Sequence, residues 1–246
     1  MGASSGALGH YLMDHFTLED GGGLLPALRS ARREPVGRPA GYIVPKYVNA
    51  DARFRDKNFL RGYYLAGDSQ QELYGHAFGL RGFGRALRRQ VSREIPYRFG
   101  IYAQGECLPR YENYVKLDPG KTDAWGVPVL HISASYGENE HAMARAMHTR
   151  LSEILAAVKV EEMQAPSEKL SLFGKNIHEC GTARMGDDPK KSVVNRFNQV
   201  HDAKTVLVTD GACFVTQGCY EPTLTIMAVT VRAAEHLADE YRRGNL

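Results

Sequence analysis

His178-Glu-Cys-Gly-Thr-Ala-Arg-Met-Gly186 is the stretch of this chain whose residue types could best do chemistry. A histidine is largely neutral near pH 7 and can take a proton from a hydroxyl group. The Gly181-Thr182 pair behind it allows the backbone to approach a planar ligand closely. Further on, a strand-like run ends in Asp210-Gly211, and Glu221-Pro222-Thr223 opens a helix. Proline suits the first helical position because its missing N–H would have no partner there. The N-terminus of such a helix stabilises negative charge through its free N–H groups and its dipole, with Thr223 and Thr225 as hydroxyl donors. Each piece alone is ordinary, since a lone histidine is usually structural and Asp-Gly after a strand is usually a turn. The signal is their joint order.

Oxidising an alcohol requires removal of a hydroxyl proton and a hydride. A flavin takes the hydride and gathers negative charge along one edge of its ring, where a helix N-terminus is stabilising. Metal chemistry has weaker support. Cys107, Cys180, Cys213 and Cys219 form no C-x-x-C pair, and His178-x-Cys180 with Cys213 and Cys219 fits no common metal spacing. They read as buried free thiols, and no metal ligands are assigned. Gly79, Gly82 and Gly84 give G-x-x-G-x-G, which is not the dinucleotide-binding order and follows no apolar strand; they read as turn glycines.

The elements that must position these residues are partly legible. Phe99–Leu108, Tyr114–Leu117 and Val127–Ser135 read as strands, with Asp118-Pro119-Gly120 as a turn between the last two. Glu138–Val158 is an amphipathic helix whose stripe is Met143, Met147, Leu151, Ile154 and Val158. Thr205–Thr209 reads as a short buried strand. Pro222–Tyr241 reads as a second long helix with Leu224, Met227, Ala228, Val231 and Ala234 inward. Gly21-Gly22-Gly23 and Pro35–Pro39 read as loop. The expected fold is α+β: an antiparallel sheet covered by helices over residues 1–170, then a segment 171–246 whose strand and helix complete a flavin-binding α/β domain.

At 246 residues and 43% hydrophobic content the chain can bury a real core. A net charge of +3 with 24% charged residues gives no field that would attract nucleic acid or membrane. The basic cluster Arg81, Arg85, Arg88, Arg89 and Arg93 reads as a solvated helix face. No apolar run is long enough to span a membrane, so the chain is expected to be soluble; its cellular location is unknown.

Four motifs together carry a family resemblance. They are His178 to Gly186, Ser192-Val193-Val194-Asn195, Val206-Leu207-Val208-Thr209-Asp210-Gly211, and Pro222-Thr223-Leu224-Thr225-Ile226-Met227-Ala228. In that order they resemble the C-terminal part of glucose–methanol–choline (GMC) oxidoreductases, flavoenzymes that oxidise alcohols, sugars and sterols. Gly9-His-Tyr-Leu-Met-Asp-His15 resembles the segment after the family's flavin-binding half, and Glu106-Cys-Leu-Pro109-Arg-Tyr-Glu112-Asn113 a strand of its substrate domain. The resemblance implies FAD as cofactor, an alcohol or sugar as substrate and His178 as the base that takes the hydroxyl proton. It implies flavin contacts at Asp210 and Gly211 near the ribityl and phosphate region, and at Pro222 and Thr223 by the pyrimidine edge.

Two departures matter. The position before Pro-Thr is Asn or His in the family and helps orient the alcohol; here it is Glu221. A carboxylate there either accepts the substrate's hydrogen bond or pairs with His178 and makes it a poorer base. Full members also begin with a strand, a G-x-G-x-x-G loop and a helix that hold the ADP half of the flavin. This chain has no such unit, so the expectation is a fragment, or a subunit whose N-terminal FAD-binding half is supplied in cis or in trans, and a chain inactive alone. The alternative reading is a non-catalytic fragment or scaffolding subunit that docks a separate FAD-binding chain.

Overall fold

The computed structural model describes residues 1–245 other than 19–20, 29–40, 50, 52, 54, 72–76 and 94–96. Its main sheet is built on two long strands, β4 (Tyr63–Gln71) and β5 (Tyr97–Gly105), which pair antiparallel along their whole length. Strand β3 (Gly41–Val44) flanks β4. On the other side β5 pairs with β2 (Gly21–Leu24), β2 pairs with β8 (Glu161–Gln164), and the two-residue β1 (Phe16–Thr17) extends the edge of β5. All these pairings are antiparallel, and the fold is α+β as expected.

The triple glycine, expected as loop, is strand β2. A Cβ at Gly22 would lie 2.4 Å from the Phe99 carbonyl oxygen, and one at Gly21 would lie 2.7 Å from a Leu155 methyl carbon. Only glycine lets this strand press so closely between its neighbours. Pro35–Pro39 lies outside the described residues. Gly82 (φ +125°) and Gly84 (φ +66°) have the positive φ of turn glycines and lead into helix α1 (Gly84–Arg93). On this helix and the turn before it Arg81, Arg85, Arg88 and Arg89 are exposed; the Arg93 side chain lies outside the described part.

Helix α2 (Glu138–Val158) covers the sheet and matches its expected bounds. It starts where the Glu140 carboxylate accepts the Gly137 N–H at 2.8 Å, and it stops at left-handed Lys159. Met143, Met147, Leu151 and Leu155 face the core with Phe16, Leu18, Leu65 and Ile101. The inward stripe ends on Leu155; Ile154 and Val158 are half-buried.

Strand β6 (Tyr114–Thr122) pairs with β7 (Pro128–Ser133) as a separate hairpin. Asp118-Pro119-Gly120 does not reverse the chain as expected. It becomes an irregularity within β6, and the reversal falls at Asp123–Val127, where the Asp123 carboxylate accepts the N–H groups of Trp125 and Val127. The turn moves because this Asx arrangement supplies a better-satisfied reversal five residues on.

The C-terminal elements depart most from expectation. Strand β10 (Ala203–Leu207) pairs only with the two-residue β9 (Gln199–Val200) among the described residues, and it is partly exposed rather than buried. Helix α3 (Thr223–Arg242) turns Ile226, Val229 and Ala233 inward. The expected stripe faces out instead: Leu224 is 78% exposed, Met227 60% and Val231 58%. The helix carries two apolar stripes, and only one meets a partner among the described residues. A second small core joins Ala7 with Ala183, Val193, Val194, Val200 and Cys213.

Leu151 is fully buried on the inner face of α2. Leu151→Ala is expected to lower unfolding free energy by about 2–5 kcal/mol through lost contacts and a residual cavity, measured by denaturant titration.

Candidate active site

The site is assembled by two segments far apart in sequence. Residues 9–13 run antiparallel to 180–182. The Met13 N–H donates to Cys180 O at 2.8 Å, the Cys180 N–H to Met13 O at 2.9 Å, and the Thr182 N–H to His10 O at 3.0 Å. Gly181 (φ +89°) is required here, because a Cβ would stand 2.0 Å from the Tyr11 carbonyl oxygen. The close approach that this glycine permits is therefore of the chain to itself.

That pairing delivers Asp14 and His15 beneath His178. The buried Asp14 carboxylate accepts the N–H groups of Gly174 (2.9 Å), Asn176 (3.4 Å) and His178 (3.2 Å). Burial raises the Asp14 pKa, against the pull of those three bonds. Ile177, just before the catalytic candidate, has φ +51°, a strained value for a β-branched residue. The Asp14 bonds on both sides of it hold that loop in place. The Gln217 amide donates to the His178 carbonyl oxygen, fixing the backbone from the opposite side.

The rings of His15 and His178 meet edge-on at 85°, with Nδ1 3.1 Å from Nδ1. His15 Nε2 lies 2.8 Å from the Gly218 carbonyl oxygen. His15 is fully buried, while His178 is half-exposed. Burial pushes the His15 pKa down to about 4; the Gly218 bond and the Glu221 charge oppose this, and nearby His178 adds to it.

Glu221 sits at the head of α3, and its Oε1 accepts the Tyr64 hydroxyl at 2.6 Å. Burial pushes its pKa up, but the Tyr64 bond, its own backbone N–H and the fields of His178 and His15 outweigh that and hold it below the usual range. Glu221 is thus a firm carboxylate. Among the described residues it makes no hydrogen bond to His178; the two interact through space. Tyr64 is clamped by stacking on Tyr220, with centroids 4.8 Å apart. The 217–221 loop is tied to the sheet again where Gln104 donates to Cys219 O at 3.2 Å. Beside Glu221 opens a cleft of about 770 Å³ lined by Tyr42, Tyr64, Asp68 and Tyr102.

The expected flavin contacts fall in two sets. Gly211 is buried against the residues that follow His178: its carbonyl accepts the Gly181 N–H at 3.0 Å, and a Cβ would meet Cys180 Sγ at 2.9 Å. Pro222 is buried as well. Asp210 and Thr223 are exposed, and Asp210 accepts the Ala212 N–H at 2.9 Å. Sequence reasoning singled out neither Asp14, His15, Tyr64 nor Gln217. Asp14 and His15 stood inside a quoted motif, but nothing local tied them to His178. All four cysteines are buried and unpaired, and burial pushes the thiols of Cys107, Cys180 and Cys219 up to about 12. No helix among the described residues is long and apolar enough to cross a membrane.

The structure sets a histidine-bearing loop against an antiparallel sheet, and comparison with known proteins gives the family. The family model for GMC oxidoreductases matches residues 109–230. The chain belongs to this family of FAD-dependent alcohol and sugar oxidoreductases, as its C-terminal part. It is 28% identical to the fructose dehydrogenase large subunit of Gluconobacter japonicus over 98% of this chain and 43% of that protein. It is also 28% identical to the 2-methyl-1,2-propanediol dehydrogenase of Mycolicibacterium austroafricanum, over 97% of this chain and 43% of that protein. Among solved structures, Aspergillus oryzae RIB40 formate oxidase superposes with a TM-score of 0.60 at 15% identity, over 96% of this chain and 48% of the other. The chain thus spans less than half the length of these relatives.

The His15 pKa near 4 lies below its ordinary 6.5, so between those values the unfolded chain binds the proton first. Stability is unaffected above pH 6.5 and falls by about 3 kcal/mol as pH drops to 4. In denaturant titrations the advantage of wild type over His15→Gln is expected to shrink by about that amount from pH 7 to 4. A constant gap would mean that folding does not lower the His15 pKa.

Proposed function

We propose that this chain is the substrate- and histidine-bearing half of an FAD-dependent oxidoreductase acting on CH–OH groups of alcohols or sugars. Residues 1–170 form the substrate side, and residues 171–246 face the flavin. The observation that carries this reading is the setting of His178. Its Nδ1 is engaged by His15, and its Nε2 has no partner among the described residues. Nε2 takes the substrate hydroxyl proton: the O–H bond breaks, an N–H bond forms, and the ring becomes an imidazolium. The Glu221 carboxylate stabilises that positive charge, and its second oxygen accepts a substrate hydroxyl. Tyr64 holds the carboxylate in place while it does so.

The residues present fit FAD. Pro222 offers no side-chain cap to the first turn of α3, leaving its N–H groups for a ligand. Asp210, Gly211, Pro222 and Thr223 would hold the cofactor. When bound, FAD supplies the acceptor for the hydride that leaves the carbinol carbon. The polar, tyrosine-lined cleft beside Glu221 supports a hydroxyl-rich small molecule as substrate. The outward stripe of α3 and the open edge of β10 support a further half, in cis or in trans, that carries the ADP-binding unit.

In the assembled holoenzyme, His178→Ala is expected to slow flavin reduction by about 10²–10⁴-fold in stopped-flow absorbance. Unchanged kinetics would remove His178 from the mechanism. The 246-residue chain alone is expected to emerge colourless from gel filtration with added FAD, whereas co-expression with an N-terminal FAD-binding half yields a yellow complex. Flavin retained by the chain alone would defeat the two-half reading.

A further inference from the structure

A neutral histidine is a base at one ring nitrogen only, and the partner of the other nitrogen decides which. Among the described residues the His15 ring meets two hydrogen-bonding groups: the Gly218 carbonyl oxygen, 2.8 Å from Nε2, and His178 Nδ1, 3.1 Å from its own Nδ1. A carbonyl oxygen only accepts, so the proton of His15 is on Nε2. Its Nδ1 is then a bare lone pair. Two lone pairs at 3.1 Å would repel, so the proton in that contact belongs to His178 Nδ1. One N–H is all that a neutral ring has, and His178 Nε2 is left basic.

We propose that His15 is a positioning residue that fixes His178 in its Nδ1–H tautomer and so makes Nε2 the atom that receives the substrate proton. The proposal rests on the reading of His178 as the base. Serine-protease triads give the same orienting task to a buried aspartate. Here the orienting group is neutral, and the surroundings keep it so. His15 is fully buried, its own pKa is pushed down to about 4, and its backbone carbonyl is gripped by Tyr136 (3.0 Å) and Asn176 (2.6 Å). The charged groups around the pair are few. Asp14, on the same segment, spends its oxygens on backbone N–H groups, and Glu221 approaches from the head of α3. A neutral acceptor orients His178 without adding another buried negative charge beside Asp14. After the proton arrives at Nε2, the Nδ1–H bond to His15 persists and strengthens, because the donor is now charged.

The test is nitrogen NMR on the full chain labelled with ¹⁵N at histidine, at neutral pH. The expected spectrum has His178 protonated at Nδ1 and bare at Nε2, His15 the reverse, and a scalar coupling between the two Nδ1 atoms across the hydrogen bond. His15→Gln keeps an accepting oxygen and should preserve the His178 tautomer. His15→Leu fills similar space with no acceptor and should leave His178 as a mixture. In the assembled holoenzyme, His15→Leu is expected to lower kcat by about 10²-fold with KM unchanged, and His15→Gln to recover part of it. His178 protonated at Nε2 in wild type, or an unaltered tautomer in His15→Leu, would overturn the proposal. If the leucine variant does not fold, the wild-type and glutamine spectra still decide it. Should His178→Ala leave flavin reduction untouched, the base reading fails, while the nitrogen signals answer the tautomer question independently.

Discussion

The antiparallel contact between residues 9–13 and 180–182 is the constraint on which the site depends. It joins two segments distant in sequence through backbone hydrogen bonds that no surface side chain can replace. It requires Gly181, since any Cβ there would strike the Tyr11 carbonyl. With the contact made, Asp14 falls under the 174–178 loop and His15 under the His178 ring. Without it, His178 would be a histidine on an unsupported loop.

Burial sets the electrostatics around that contact. Water is excluded from Asp14 and His15, so each is driven toward its neutral form: the carboxyl pKa rises and the imidazole pKa falls. The Asp14 backbone bonds resist that drift, which keeps the loop anchored. Glu221 is shifted the other way, because the Tyr64 hydroxyl and two nearby histidines favour its charge more than partial burial opposes it. The site therefore combines an uncharged orienting histidine with a charged residue at the head of α3. Of the two roles the sequence leaves open for Glu221, a hydrogen bond to His178 is not formed among the described residues, and Tyr64 takes the carboxylate's hydrogen bond.

The legible parts of the fold share one property. Helix α2 has a single apolar stripe and a Glu140 that caps its start, so its bounds follow from the sequence alone. Helix α3 has two apolar stripes, and a one-dimensional pattern cannot say which one finds a partner; the stripe through Leu224, Met227 and Val231 stays exposed. Strand β2 was hidden because three glycines carry no side-chain periodicity. Their role is the space they leave for neighbouring backbone. Asp118-Pro119-Gly120 has turn chemistry but lost the reversal to Asp123, whose carboxylate satisfies two N–H groups.

By itself, the sequence determined the family and the antiparallel α+β character and singled out His178 as the candidate base, because motif order and strong periodicity are local properties of a chain. The tertiary structure alone decided what surrounds His178. The partners of its ring and backbone are His15, Asp14 and Gln217, and the partner of Glu221 is Tyr64. Those pairs stand up to 164 residues apart in sequence. The protonation state of a buried group depends on which dipoles and charges the fold brings within a few ångströms, and no local pattern records that distance.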